Sequence, residues 1–458
     1  MPLPTSVERL LYALQVHGPS RAADLAARLE TSRPTLSRLV AAAGDTVLRF
    51  GKARATVYAA TGEVRGEKAW PLYRINAEAR VLPLGELLAL HNEHFFVSLE
   101  QANPVLLHPP LDSGLFESLP WFIDDQRPQG FLGRHLAHRL SETLRLPSQL
   151  NLWSPSHSLV AMLAEGHDPL GDLIIGDRAL ARALKDIEYP ECIAEEARPQ
   201  AYLALAEAAL RGEDVGFSAA GEQPKFTAIV STPVGYRPVI VKFTDRADQP
   251  IGRRWSDLLR LEHLASRVLL AHGMPAAITD ILEHDGRIFL ESTRFDRTPV
   301  LGRQGFVSLM SIFSAFYGDA ELSTWRPLAA RLKHDGWLDL EDARRLEIIS
   351  WFGHMIGNTD MHLGNAALIL ADRLPLRLAP VYDMLPMALR PASNGEILDR
   401  GIDIPPPSAK QFPQWRKAAL MAEDFWHQAV DEPRLSSPIR SLAADTHETL
   451  RRTASRLA

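Results

Sequence analysis

The stretch that decides the fold reads Ile356-Gly-Asn-Thr-Asp-Met-His-Leu-Gly-Asn-Ala-Ala-Leu-Ile-Leu370 and is followed by Leu378-Ala-Pro-Val-Tyr-Asp-Met384. Within it Asp360 and Asn365 have the spacing D-x-x-x-x-N, and Asp383 lies in the second run. The apolar runs 366–370 and 376–381 predict a short hairpin, which fixes the distance between these polar side chains.

These side chains are of the kind that phosphoryl transfer requires. In a protein kinase one Asp accepts the proton of the attacking hydroxyl, while an Asn and a second Asp hold the metal ions on the nucleotide phosphates. We therefore expect Asp360 to be the catalytic base and Asn365 and Asp383 to bind Mg²⁺, with ATP as the phosphate donor. His362 is expected to hold the loop rather than to transfer protons.

The composition indicates a multidomain protein with a basic head on an acidic body. A chain of 458 residues exceeds the size of one hydrophobic core, so about two to four domains are expected. Residues 1–60 carry a charge of +4, which leaves −10 for the rest of a chain whose net charge is −6. This balance argues against a chain that binds nucleic acid over its whole surface, but it allows the head to do so.

Cysteine content and hydropathy point to one compartment. Cys192 is the only cysteine, so no intramolecular disulfide can form and a reducing environment is expected. The sequence begins without the features of a signal peptide, and no apolar run approaches about 18 residues. We therefore expect a cytoplasmic protein without a membrane partner.

Residues 6–60 predict three helices followed by a hairpin, which is the order of a winged helix-turn-helix. Ser32 is the expected N-cap of the third helix, and Pro34 stands in its first turn. That helix would enter the major groove and the hairpin would lie on the backbone of DNA. The candidate DNA contacts are Arg33, Thr35, Ser37, Arg38, Arg49, Lys52 and Arg54.

A small helical adaptor with a solvated basic face remains the alternative for this region. Because a charge of +4 is modest, tight DNA binding is expected to need two copies, and hence a homodimer.

Residues 61–212 are less informative: 61–66 predict a linker, and the histidine pairs His91/His94 and His135/His138 are expected to be surface residues rather than metal ligands.

Residues 213–293 predict the opposite wall of a nucleotide site. A loop of small residues leads into two strands, and the second carries Lys242 in the apolar run Val239-Ile-Val-Lys-Phe243. In a kinase fold this is the place of the lysine that grips the nucleotide phosphates, and a Glu on the next helix is its ion-pair partner. Glu262 is that candidate. Residues 291–293 predict a hinge in which Glu291 to Thr293 offer backbone groups to the adenine ring, and an ordinary polar exit from a strand is the alternative.

Five motifs together resemble the HipA family of serine/threonine kinase toxins: Ser218-Ala-Ala-Gly-Glu-Gln-Pro-Lys225, Val241-Lys-Phe243, Arg294-Phe-Asp-Arg297, Gly357-Asn-Thr-Asp-Met-His-Leu-Gly-Asn365 and Pro380-Val-Tyr-Asp383. The helix-turn-helix at the front resembles the YjjJ-type branch, in which one chain carries both parts. The resemblance implies an α+β, two-lobed protein-kinase-like (HipA-like) fold. The domains expected are a winged helix-turn-helix over 1–62, an N-terminal kinase lobe with a HipA-like subdomain over 63–296, and a mainly helical C-terminal lobe over 297–458.

The same resemblance implies roles for single residues. Lys242 matches the lysine on the phosphates, and Asp360, Asn365 and Asp383 match the base and the metal ligands. Ser218 matches a loop serine that such kinases autophosphorylate, which silences the enzyme. Gln223 and Lys225 belong to the same nucleotide-binding loop motif. The partners implied are a protein substrate, with an aminoacyl-tRNA synthetase as one candidate, and an antitoxin protein.

Two other functions stay open. The body could be a pseudo-kinase that senses a nucleotide for a DNA-binding transcription regulator, although the complete set of Lys242, Asp360, Asn365 and Asp383 argues against it. A small-molecule phosphotransferase would use the same D-x-x-x-x-N pattern, whereas the Ser218 motif favours a protein kinase.

Overall fold

The computed structural model describes residues 6–51, 55–213, 223–392, 394–397 and 401–457. Helices and strands are mixed along the chain, so the predicted α+β class is confirmed. Among the described residues, none of the helices combines the length and the apolar composition that crossing a lipid bilayer requires.

The N-terminal elements form a small unit with its own hydrophobic cluster, which includes Leu10, Leu14, Leu25 and Leu36. The strands form an antiparallel sheet in the order β1-β3-β2. Helix α3 begins after Ser32, whose hydroxyl accepts a hydrogen bond from the backbone N–H of Thr35, as the sequence predicts. The elements are α1 (Ser6–His17), β1 (Ser20–Arg21), α2 (Ala22–Arg28), α3 (Arg33–Ala43), β2 (Val47–Phe50) and β3 (Val57–Ala60).

A second antiparallel sheet follows, with strands in the order β7-β6-β5-β4-β8. Its outer strand β8 is separated from its neighbour β4 by about 100 residues of chain, since Leu72 pairs with Ile175. The elements are β4 (Ala69–Ile75), β5 (Val81–Ala89), β6 (Phe95–Leu99), β7 (Leu115–Phe116), α4 (Gly130–Thr143), α5 (Pro155–Glu165), β8 (Leu173–Ile175) and α6 (Asp177–Glu188).

The N-terminal unit is attached to this second sheet. Phe50 on β2 packs on Phe96 of β6, with ring centroids 4.8 Å apart, and both belong to one apolar cluster with Leu90. Residues 61–66, predicted as a linker, are hydrogen bonded to the end of β5: the N–H of Gly62 donates to the carbonyl of Ala89 at 2.9 Å. Residues 61–66 therefore connect the N-terminal unit to β4 and are themselves hydrogen bonded to the second sheet at Gly62.

A third sheet has the strand order β12-β13-β11-β10-β9, in which only β9 is parallel to its neighbour. Helix α7 packs on one face through Tyr202, which contacts Phe226 and Phe289. Helix α8 covers the other face, where Leu259 packs on Leu290. The elements are β9 (Cys192–Ala194), α7 (Arg198–Leu210), β10 (Lys225–Thr232), β11 (Gly235–Phe243), α8 (Pro250–Ala271), β12 (Thr279–His284) and β13 (Arg287–Thr293).

The last part is mainly helical and contains the predicted hairpin. Leu368 pairs with Leu378, which confirms the hairpin, and a third short strand completes the sheet in the order β14-β15-β16. The elements are β14 (Val307–Ser308), α9 (Leu309–Phe316), α10 (Trp325–His334), α11 (Leu340–Met355), β15 (Ala367–Ile369), β16 (Arg377–Leu378), α12 (Phe412–Asp431) and α13 (Ser437–Leu457).

The stability of the third sheet should depend on the aromatic side chains that pack on one of its faces. Phe226 is fully buried between Tyr202 and Phe243, so Phe226→Ala removes a large side chain from a closed cluster. We expect a loss of about 3–5 kcal/mol in the free energy of unfolding, measured by urea unfolding followed through tryptophan fluorescence. Val234→Ala, at a side chain 86% exposed, is the control and should change stability little. Equal effects of the two variants would contradict this assignment of the core.

Candidate active site

Two buried lysines lie side by side on the third sheet. Lys225 on β10 stands directly opposite Lys242 on β11, so both side chains point to the same face. Both are buried, at 2% and 7% exposure. Lys242 Nζ donates to both carboxylate oxygens of Glu262 on α8, at 2.6 and 2.8 Å, and to the carboxylate of Asp383. The sequence-predicted partners Lys242, Glu262 and Asp383 are therefore brought together.

The electrostatics of this group follow from burial and from its mixed charges. Burial alone would lower the pKa of Lys242, but the carboxylates of Asp383 and Glu262 raise it above its ordinary value. Burial would raise the pKa of Asp383, but the ammonium groups of Lys242 and Lys225 hold it below its ordinary value. Burial raises the pKa of Glu262 even though Lys242 opposes the shift. At neutral pH the site therefore presents an ionised Asp383 beside the charged Lys242.

The loop after α11 holds Asp360 by its backbone and leaves its side chain exposed. Asn358 Oδ1 accepts a hydrogen bond from the N–H of Asp360 at 3.0 Å, and Asn365 Nδ2 donates to the carbonyl of Asp360 at 2.9 Å. Gly357 begins this loop with φ +77°, and a Cβ there would lie 2.8 Å from the side chain of Ile402. Only glycine fits this combination of backbone angle and close approach.

Sequence reasoning missed two residues that join the loop to the metal-binding candidate. Asn358 Nδ2 donates to the carbonyl of Asp383 at 3.2 Å, so one amide contacts the backbones of both Asp360 and Asp383. The hydroxyl of Tyr382 donates to the carbonyl of Gly364 at 2.8 Å. An Asn two residues before Asp360 is the signal of an Asx-turn and could have pointed to Asn358; the contact of Tyr382 has no such local signal.

His362 forms two hydrogen bonds within and next to the loop. Its Nδ1 accepts a hydrogen bond from the N–H of Gly364 at 3.0 Å, and its carbonyl accepts one from Trp325 Nε1 at 3.0 Å. These bonds anchor the turn that connects Asp360 with Asn365.

Residues 291–293, predicted as a hinge, form the end of strand β13. The strand is paired with β11 as far as Thr293 and with β12 as far as Ser292. Glu291 lies opposite Val241, so its side chain points away from the face that carries Lys242. It is buried there, accepting from Arg198 at 2.9 Å and from the Tyr202 hydroxyl at 2.6 Å. Thr293 shares the face of Glu291.

The other predicted residues of the loop motif are placed as follows. Gln223 is half-buried just before β10, whereas Ser218 lies outside the described residues. Among the residues that the structure describes, no group of three or more His, Cys, Asp or Glu side chains is placed to hold a metal ion. Asn365 is buried beside Asp360, and because its Nδ2 is used in the loop its Oδ1 is the atom left to coordinate a cation.

On the N-terminal unit the candidate DNA contacts that the structure describes lie on the surface. Arg33, Ser37 and Arg38 on α3 and Arg49 on β2 are exposed. Thr35 is half-buried, and its hydroxyl contacts Ser32 at 3.0 Å and Arg38 at 3.3 Å, so it supports the helix end. Lys52 and Arg54 lie outside the described residues.

The motif Arg294-Phe-Asp-Arg297 forms a buried ion cluster rather than part of the Lys242 group. Arg294 and Arg297 each bind Asp168 at 2.6 Å, and both also bind Asp296. Burial alone would raise the pKa of Asp296, but the two guanidinium groups lower it to about 2. Because Asp168 follows α5, this cluster joins the second sheet region to the end of β13.

Comparisons with known proteins agree with this architecture. Residues 66–184 match the family described as "YjjJ-like toxin, middle domain", and residues 217–450 match "HipA-like C-terminal domain". The chain is 34% identical to Toxin YjjJ of Escherichia coli (strain K12) over 442 residues, which are 96% of this chain and 97% of that protein.

The solved structure of HipA from Shewanella oneidensis MR-1, described with HipB and operator DNA as a toxin–antitoxin system, has a similar fold. Its TM-score is 0.54 at 16% identity, over 84% of this chain and 97% of that one. The fold, together with the lysine site on the third sheet, thus defines a protein of the HipA-like class. The chain belongs to the HipA family of toxins and, within it, to the YjjJ-like toxins.

The Asp296 cluster makes a prediction for pH dependence. A carboxyl whose folded-state pKa is depressed adds stability above its unfolded pKa and loses it as pH falls toward the folded pKa. Asp296→Asn should destabilise the protein at about pH 6, because it leaves two buried guanidinium groups underpaired. At about pH 3 the free energy of unfolding of the variant should lie about 1 kcal/mol closer to that of the wild type than it does at pH 6, because the wild type loses the stability that ionised Asp296 provides.

Urea unfolding at the two pH values measures this difference. Asp112→Asn, at an exposed carboxyl, is the control and should change the free energy of unfolding little at about pH 6. An Asp296→Asn deficit that stays constant across the range would contradict the assignment of a depressed pKa to this group.

Proposed function

We propose that the chain is an ATP-dependent serine/threonine-protein kinase of the toxin type. The observation that carries the proposal is the position of Lys242, which is held between Glu262 and Asp383 on the sheet face that meets the Asp360 loop. This is the ion-pair arrangement that a kinase needs to grip nucleotide phosphates. Membership of a toxin family supports the proposal but does not by itself specify the reaction.

The residues present fit ATP and Mg²⁺. Lys225 and Lys242 would meet the negative charge of the phosphates. Asp383 and the amide oxygen of Asn365 are hard oxygen ligands, which suit Mg²⁺, and a cation held by so few protein ligands takes the rest from phosphate and water. Mg²⁺ bound there would neutralise charge on the phosphates during transfer.

The protein's own part in the reaction is mostly positioning. Asp360 would accept the proton of the attacking hydroxyl, and its exposed side chain allows a protein substrate to reach it. Asn358 and Asn365 hold the backbone of Asp360, while Glu262 holds the ammonium of Lys242. A fixed base and a fixed cation lower the barrier because they need little rearrangement as the transition state forms.

We also propose the domain boundaries and partners that the sequence predicts. Residues 1–62 would be a winged helix-turn-helix that binds DNA, 63–296 the N-terminal kinase lobe with its HipA-like subdomain, and 297–458 the C-terminal lobe. The exposure of Arg33, Arg38 and Arg49 supports the DNA proposal. Since the Shewanella HipA is described with HipB and operator DNA, an antitoxin protein is a further proposed partner.

Loss of the base should abolish phosphotransfer without loss of the fold. Asp360→Ala changes an exposed side chain, so we expect incorporation of labelled phosphate from ATP to fall by about 100-fold or more. Binding of a fluorescent ATP analogue should persist. The acceptor is measured by mass spectrometry of the wild-type reaction, in which phosphate on Ser218 is the expected autophosphorylation product.

Asp431→Ala is the matched control, because this carboxylate is exposed at the end of α12. It should retain full labelling. Undiminished labelling of Asp360→Ala would exclude Asp360 as the catalytic base. Nucleotide binding without any turnover by the wild type would instead favour the pseudo-kinase regulator, and transfer to small molecules alone would favour the small-molecule phosphotransferase.

The basic surface of the N-terminal unit should bind DNA with a salt dependence that its arginines set. In the triple variant Arg33→Ala, Arg38→Ala, Arg49→Ala, three exposed cations are lost. We expect weaker binding to a duplex of random sequence. The slope of log K against log salt should fall by about 2 to 3, because each neutralised phosphate contributes about 0.9. Fluorescence anisotropy over a salt series measures both quantities.

A triple variant on the acidic body provides the matched control: Arg373→Ala, Arg416→Ala and Arg451→Ala remove three exposed arginines from other regions. It should leave the slope unchanged. If both triple variants weaken binding equally, contact through α3 and β2 is excluded and the small-adaptor alternative gains support.

A further inference from the structure

One carboxylate from the region of the second sheet reaches the C-terminal part of the molecule. Asp125 lies between β7 and α4, and its Oδ2 accepts a hydrogen bond from the backbone N–H of Ser308 at 2.7 Å. Ser308 ends β14 and is the N-cap of α9, where its Oγ accepts from the N–H of Ser311 at 3.1 Å. Both serines are buried. A side chain of one part of the fold therefore fixes the start of a helix in another.

The start of α9 is in turn bonded to the chain that carries Asn365. Ser308 stands opposite Ala367 in the small sheet, and the N–H of Leu309 donates to the carbonyl of Ala366 at 2.8 Å. Ala366 follows Asn365 directly. A displacement of β14 and α9 would therefore move the backbone from which the Asn365 amide projects.

The far end of the same hairpin is held separately. Asn103 Nδ2 donates to Oδ1 of Asp372, in the turn between β15 and β16, at 2.6 Å. Trp121 packs edge-on against Phe316 of α9 and against Trp337, with ring centroids 5.4 and 5.7 Å apart. Asp125 thus acts at the end of the hairpin that carries Asn365.

The charge of Asp125 matters for the strength of its contact. Removal from water raises the pKa of Asp125 to about 6, although hydrogen bonds from Ser308 and Ser311 oppose the shift. At about pH 8 the carboxylate is therefore ionised, and an ionised acceptor forms a stronger hydrogen bond than a neutral one.

We propose that Asp125 is a positioning residue of the phosphotransfer site: it holds the start of α9 and, through the pairing of β14 with β15, places the Asn365 amide for Mg²⁺. This inference rests on the kinase function proposed above. A carboxylate that only stabilised α9 would change the free energy of unfolding without changing what Mg²⁺ contributes to nucleotide binding.

Binding of a fluorescent ATP analogue, measured in excess Mg²⁺ and in EDTA at about pH 8, separates the two roles. The ratio of the two affinities is the gain from Mg²⁺. In Asp125→Ala this gain should fall about tenfold, because groups that orient a metal ligand typically change metal affinity by about 10- to 100-fold when they are removed. Affinity in EDTA should match that of the wild type. Asp124→Asn is the matched control, since that carboxylate pairs with Arg127, and it should keep the full gain.

A double-variant cycle tests whether Asp125 acts through Asn365. Asn365→Ala should lose part of the gain, since Asp383 remains, and adding Asp125→Ala to it should cause no further loss. Asp125→Asn keeps an acceptor oxygen without the charge and should show an intermediate loss, which keeps the test decisive if Asp125→Ala does not fold.

The outcomes that contradict the proposal are distinct. A full gain in Asp125→Ala and Asp125→Asn, an unchanged gain in Asn365→Ala, or losses that add in the double variant would overturn the positioning role while leaving the kinase proposal in place. Equal affinity of the wild type in Mg²⁺ and in EDTA would overturn the proposed use of Mg²⁺ together with the role of Asp125.

Discussion

The pairing of the Lys242 ammonium with two carboxylates is the interaction on which the rest of the site depends. One carboxylate comes from α8 and the other from the segment after β16, so a single cation joins sheet, helix and C-terminal part. A lysine this deeply buried would be strongly unfavourable without partners, and removing either partner would leave an uncompensated charge. The same group that holds these elements in place is the group that we propose to meet a nucleotide.

A second ion cluster also links distant segments of the chain. It consists of Arg294, Asp296, Arg297 and Asp168. It connects the end of β13 to the region after α5, and its members are nearly all buried. The Lys242 group joins one ammonium to two carboxylates, whereas the second cluster joins two guanidinium groups to two carboxylates.

The parts of the fold that were predictable are those set by neighbouring residues. Helix α3 begins where Ser32 caps it, and the hairpin of β15 and β16 lies where two apolar runs flank a turn. The sheet β7-β6-β5-β4-β8 was only partly visible, because β8 pairs with β4 across a long stretch of chain. The end of β13 was not visible for a similar reason, since only its pairing with β11 shows that the strand runs on to Thr293.

By itself the sequence determined the spacing of Asp360 and Asn365, the apolar run around Lys242 and the basic surface of α3, since these depend on residues close along the chain. The tertiary structure alone decided that Lys225 stands opposite Lys242, that Asn358 reaches the backbone of Asp383, and that Glu291 points to the other face. It also decided that Arg303 is buried, with its Nη2 on the carbonyl of His167. The physical reason is that register and burial arise only when strands and helices distant in sequence pack together.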